Sequence, residues 1–131
     1  KKLLNITACN RGLYSEDDLD LTFKSDLSGR SGLYRRGKTF EHTFNVKSIT
    51  LDTYFKDYHK PIKFIKIDVE GAEFNIFNKL IKSNSKFFEK VSILNLEFHE
   101  NQYPNLENLI SRKNIEDYLS SFNNLKCIYQ S

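Results

Sequence analysis

The sequence predicts an open α/β domain built on parallel strands. Three observations carry this. Strand-like and helix-like segments alternate from residue 62 onward, the order expected of βαβ units. The run IKFIKIDV at 62–69 places apolar side chains on both faces, as a central parallel strand covered by helices does. Directly after Gly71 the apolar period becomes helical, with Phe74, Phe77 and Ile81 on one side.

The elements follow in order. KLLNITAC at 2–9 reads as a first strand, and 10–18 as a polar turn. LDLTFKS at 19–25 alternates apolar and polar residues, so it reads as a half-exposed strand. Residues 26–38 carry Gly29, Gly32 and Gly37 and read as a loop. HTFNVKSI at 42–49 alternates again, and Thr50 is placed to cap a short helix at 51–58 that ends before Pro61. The strand at 62–69 leads into a helix near 72–83 and then a second buried strand at 90–100. These two strands are expected to be parallel neighbours joined by a crossover. Leu106, Leu109 and Ile110 suggest a further helical turn. A helix at 114–122 gathers Ile115, Tyr118, Leu119 and Phe122 on one side, and LKCIYQS at 125–131 reads as a last strand. No repeat or low-complexity linker divides the chain, so one domain over 1–131 is expected.

Composition narrows the function. At 131 residues, with 39% hydrophobic and 28% charged residues, the chain can bury a core and is not disordered. No apolar run approaches the ~20 residues of a membrane helix, so no membrane span is expected. A net charge of +3 is too mild to imply nucleic acid. Arg30, Arg35, Arg36 and Lys38 cluster around Tyr34, where a base could stack, but the segment reads first as a solvated basic loop. No nucleic-acid partner is expected. Cys9 and Cys127 lie far apart without metal-binding spacing and read as free thiols of a reducing, cytoplasmic compartment. Asn5-Ile6-Thr7 matches a glycosylation sequon but sits in a strand-like segment, where it reads as chance. The chain has no Met and no signal-peptide pattern, so it is expected to be processed or part of something longer.

The chemistry concentrates at two strand ends. Asp68, Glu70 and Glu73 fall within six residues at one, and Glu97, His99 and Glu100 at the other. Ligands of open α/β sheets bind beyond the carboxyl ends of strands. The period of two puts Asp68 with Glu70, and Glu97 with His99. Four titratable groups would then share one rim, suited to taking a proton or orienting a hydroxyl. Asp68 lies within an apolar run, where an unpaired carboxylate costs several kcal/mol, so it is the first functional candidate. Glu73 is expected only to complement a helix N-terminus. Gly71 is expected to serve tight strand-to-helix packing, and His42 and His59 to be exposed. Asp, Glu and His are metal-ligand types, but no spacing fixes a geometry, so no metal is expected.

Three segments together resemble the FkbM-type methyltransferases: SITLDTYF, then IKFIKIDVEGAEFNIFNKLI, then ILNLEFHE. The family signature is a T-L-D segment, a strand ending in D-V-E-G-x-E, and a strand ending in E-x-H. SDLSGRSGL is similar to the family's Ser/Gly-rich loop, and the resemblance covers roughly residues 5–129. It implies a class I methyltransferase with a Rossmann-like sheet that uses S-adenosyl-L-methionine to methylate hydroxyls of sugars, glycolipids or polyketides. It implies that LLNITAC is the third strand, IKFIKID the fourth and VSILNLEF the fifth. Asp68 would sit beside the transferring methyl group, with Glu70, Glu97 and His99 completing the catalytic set. Asn10 and Gly12, just after the third strand, would line the adenine side of the cofactor site. The family's opening strand, glycine turn and ribose-binding acid have no counterpart in this sequence. The resemblance therefore implies a partial domain from the third strand onward. The rival expectation is a truncated or degenerate α/β module with a binding or scaffolding role.

Overall fold

The computed structural model describes residues 5–25, 31–33, 42–100 and 110–131. Residues 2–4 of the expected first strand, most of the glycine loop, Leu106 and Leu109 lie outside the described residues. The elements are β1 (Gly12–Leu13), β2 (Asp20–Ser25), β3 (Ser31–Gly32), β4 (His42–Ile49), α1 (Leu51–Tyr54), β5 (Ile62–Ile67), α2 (Glu73–Lys82), β6 (Val91–Glu97), α3 (Arg112–Ser120) and β7 (Lys126–Gln130). A single 3-10 turn, Phe87–Lys90, enters β6.

The described strands form two sheets rather than one. β5, β6 and β7 make a parallel sheet in that order. The expected pairing of the two acid-ended strands is present, with Ile65 opposite Leu94 and Ile67 opposite Leu96. The second sheet has the order β1-β4-β2-β3, with β1 parallel to β4 and the other pairs antiparallel.

One face of the parallel sheet holds the core. Ile67, Leu94 and Leu96 point into it and meet Phe74, Phe77 and Leu80 of α2 and Ile115 and Leu119 of α3. An aromatic cluster fills the gap between the helices. Phe77 stacks on Phe88 with centroids 5.8 Å apart, and Tyr118 meets Phe122 edge-on at 5.2 Å. Such pairs contribute beyond their buried area. The Tyr118 hydroxyl donates to the Ser85 carbonyl at 2.8 Å, and burial pushes its pKa up to about 12. α3 starts two residues before the expected position because Ser111 and Asn114 form a reciprocal capping box.

The opposite face of this sheet is uncovered among the described residues. Phe64 is 53% exposed and Ile128 41%. Among the described residues, the apolar run at 62–69 therefore forms the first strand of the sheet and is covered on one face, not on both as expected. Lys63 and Lys66 are exposed, which a strand buried on both faces would not tolerate.

The first strand is also corrected. Residues 5–10 are exposed and form no strand. They find no strand partner among the described residues, and pairing begins only at Gly12–Leu13, within the segment expected to be a turn. Ser31–Gly32, expected in a loop, pairs with the end of β2.

The second sheet is tied down by short polar contacts. The buried Ser48 hydroxyl donates to the Glu16 carbonyl at 2.6 Å and accepts the Leu19 amide at 2.9 Å. Asp17 accepts the Thr50 amide at 2.7 Å and the Thr53 hydroxyl at 2.6 Å. These two bonds hold its carboxyl below the usual range. The sheet meets the core through Leu13, Tyr14 and Leu33. No helix of the described residues is long and apolar enough to cross a membrane.

Candidate active site

β5 ends at Ile67, one residue before Asp68. The chain then turns sharply. Glu70 has φ 52° and Gly71 φ 103°, and the Val69 carbonyl accepts the Ala72 amide at 3.2 Å. Two positive φ values in succession are the pattern of a type I′ turn. Gly71 supplies one without penalty. Glu70 is a non-glycine residue held in the left-handed region, a strain that gathers at functional sites. The turn explains how Asp68 and Glu70 reach the same place although the strand does not extend to Glu70.

The two strand ends converge on His99. Its Nε2 lies 3.6 Å from Asp68 Oδ1, 3.7 Å from Glu70 Oε2 and 3.6 Å from Glu97 Oε1. All four expected catalytic residues are thus brought together. The imidazole is mostly buried, while Asp68, Glu70 and Glu97 each keep about a quarter to a third of their side chains exposed. Asp68 Oδ2 also pairs with Lys66 Nζ at 3.3 Å. Three carboxylates around one imidazole and one ammonium can take a proton from a hydroxyl or hold it by hydrogen bonds.

Glu73 behaves differently from its expectation. It is fully buried at the first turn of α2. Its Oε1 accepts the His99 amide at 2.5 Å and its Oε2 accepts the Gly71 amide at 2.9 Å. It also lies 3.3 Å from His99 Nδ1, a buried atom with no hydrogen-bond partner in this geometry. Glu73 therefore joins the turn after β5 to the end of β6. A signal for this stood in the sequence: Glu73, Ile76, Phe77 and Leu80 share the i, i+3, i+4, i+7 stripe that faces the core.

A cavity of about 180 Å³ opens beside the acids, lined by Asp68, Glu70 and Val69 on one side and by Leu13, Phe23 and Leu33 on the other. The apolar wall comes from the second sheet and had no sequence signal of its own. A larger cleft of about 530 Å³, lined by residues such as Tyr14, Asp17, Asp52 and Lys79, shares no residue with the acids. The smaller cavity is the better candidate for the chemistry, because only it joins apolar walls to the converging carboxylates.

The two expected cofactor residues are not brought to this rim. Asn10 is exposed. Gly12 is buried in β1, where an added Cβ would stand 3.0 Å from Leu21 Cδ1 and 3.1 Å from Val46 Cγ2. Close packing accounts for that glycine. Its neighbour Leu13 is the residue that faces the cavity. Arg30, Tyr34, Arg35, Arg36 and Lys38 of the basic loop lie outside the described residues. Cys9 and Cys127 are both free.

A family model described as the methyltransferase FkbM domain matches residues 5–125. Searches of curated proteins and of solved structures returned no match.

Proposed function

The chain belongs to the FkbM methyltransferase family, and on that footing we propose that it serves an O-methyltransferase whose acceptor hydroxyl is held at the Asp68–Glu70–Glu97–His99 rim. The parallel β5-β6-β7 sheet with helices on one face would then be the C-terminal half of a Rossmann-like sheet. The observation that carries the reading is the convergence of three carboxylates on His99 beside an apolar-walled cavity.

S-adenosyl-L-methionine, the usual donor of methyltransferases, supplies an electrophilic methyl group on a positively charged sulfur. The residues present suit that group: an anionic rim attracts a cation, and apolar walls keep water from competing for the methyl. Asp68 and Glu70, which line the cavity, are the residues that would face it.

The chain's own groups account for the other half of the reaction. The acceptor hydroxyl enters the cavity and donates a hydrogen bond to Asp68. Its oxygen would take the methyl as the donor's carbon–sulfur bond breaks and the sulfonium leaves as a neutral thioether, and its proton would pass to the Asp68 carboxylate. Glu97 and His99 hold the acceptor so that its oxygen points in line, which is where most of the rate enhancement of such a displacement arises. Leu13, Phe23, Leu33 and Val69 exclude water. Sugars, glycolipids and polyketide-like molecules carry hydroxyls on partly apolar frames that fit such walls.

Transfer of a tritiated methyl group to a panel of sugar, glycolipid and polyketide acceptors tests the reading. Label in a base-stable ether is expected. Label in a base-labile ester or on nitrogen, or no transfer to any hydroxyl, would count against it.

A further inference from the structure

We propose that the stacked rings of Phe23 and Phe44 form a saccharide subsite beside the acid rim, where the second sugar ring of a glycan acceptor lies while the first is held at Asp68. The inference rests on the reading of the rim as an acceptor site and names the part of the acceptor that lies beyond it.

The size of the cavity is the first argument. At about 180 Å³ it is smaller than the ~300–1,000 Å³ of sites that enclose a whole small ligand. An acceptor larger than a single sugar ring therefore extends past its mouth. Phe23 is the wall residue that leads outward, because its ring also stacks on Phe44, with centroids 5.5 Å apart and planes at 10°.

The exposure of Phe44 is the second argument. Phe23 and Phe44 are opposite partners of β2 and β4, so they share one face of the second sheet. Phe23 covers one side of the Phe44 ring, yet Phe44 stays 46% exposed. Exposed apolar residues scattered singly are ordinary. This one continues the wall of a cavity, and the surface it offers is flat.

The neighbouring rungs favour a sugar over an acyl chain. The period of two puts Leu21 and Val46 on the same face at one side of the pair, and Ser25 and His42 at the other. The face thus passes from buried Leu21, across the two rings, to a hydroxyl and an exposed imidazole. A pyranose has an apolar C–H face and a rim of hydroxyls. It can lay that face on Phe44 while its edge meets Ser25 and His42. An acyl chain there would desolvate two polar groups without returning a hydrogen bond.

The test is saturation-transfer NMR on the full chain without donor, titrating maltose, cellobiose, lactose and mannobiose, each beside its monosaccharides. At least one disaccharide is expected to bind about threefold or more tightly than its monosaccharides. Transfer from aromatic protons should concentrate on the C–H groups of one ring. Phe44→Leu keeps an apolar side chain but loses the flat face. It should weaken that disaccharide about three- to tenfold and leave the monosaccharides unchanged. Phe44→Tyr keeps the face and should bind as the parent does. No preference for any disaccharide, or unchanged disaccharide binding in Phe44→Leu, would overturn the subsite. The preference is read on the unaltered chain, so it decides the matter even where a variant unfolds. Disaccharide binding that Phe44→Leu weakens, without methyl transfer to any hydroxyl, would leave the subsite standing and remove the enzymatic reading instead.

Discussion

Glu73 and His99 lie 26 residues apart in sequence, yet the buried Glu73 carboxylate accepts the His99 backbone amide at 2.5 Å. The same carboxylate accepts the Gly71 amide at 2.9 Å, so one side chain fixes both strand ends of the site. The N-terminal amides of α2 favour its negative charge.

Glu73→Gln keeps the shape but offers one acceptor oxygen to two amides. One buried N–H is left unsatisfied, which costs about 1–3 kcal/mol. Urea unfolding should show a loss of that size. A loss below about 0.5 kcal/mol would return Glu73 to the role of a simple complement to the helix end.

The turn that carries Glu70 gives a paired prediction. Gly71 has φ 103°, so Gly71→Ala forces a side chain into a left-handed conformation and should destabilise by about 1–2 kcal/mol. Glu70→Gly relieves a φ of 52° and adds unfolded-state entropy, two effects that oppose each other. Its thermal stability should stay within about 1 kcal/mol of the parent. Equal destabilisation by the two substitutions would contradict the turn as described.

Asp17 predicts a pH dependence. The Thr53 hydroxyl, first, and the Thr50 amide hold its pKa below the ordinary carboxylate value. A depressed folded pKa contributes stability above the unfolded value and loses it as pH falls through the folded one. Asp17→Asn should therefore cost stability near neutral pH and progressively less below about pH 4. The effect should stay under about 1 kcal/mol, because the group is exposed and Asn still accepts one bond. Equal melting differences at pH 7 and pH 3 would refute this linkage.

Much of the parallel sheet was legible because its signals are local. The helical stripe after Gly71, the adjacency of β5 and β6, and the Thr50 cap all follow from spacing and residue type. The convergence of Asp68, Glu70, Glu97 and His99 followed from placing acids at neighbouring strand ends. What failed was non-local. The segment near Ile6 looked like a strand, but a strand-like composition does not supply a pairing partner. The run at 62–69 looked buried on both faces because Phe64 falls on one face and Ile65, Ile67 and Val69 on the other, but no described residue covers Phe64. Leu13, Phe23 and Leu33 became cavity walls only through packing of the second sheet. Glu73 was misjudged because an acid in a first helical turn is so often a surface complement. Its position on the buried stripe was the better guide.

Asp68 is proposed to take the acceptor's proton, and the turnover of Asp68→Asn decides whether it does. Asn has nearly the same shape, and neutralising a partly buried carboxylate need not destabilise the fold. Methyl transfer should fall by about 10²-fold or more at saturating donor and acceptor, with the thermal midpoint unchanged. Turnover within a few-fold of the parent would show that the reaction does not depend on Asp68.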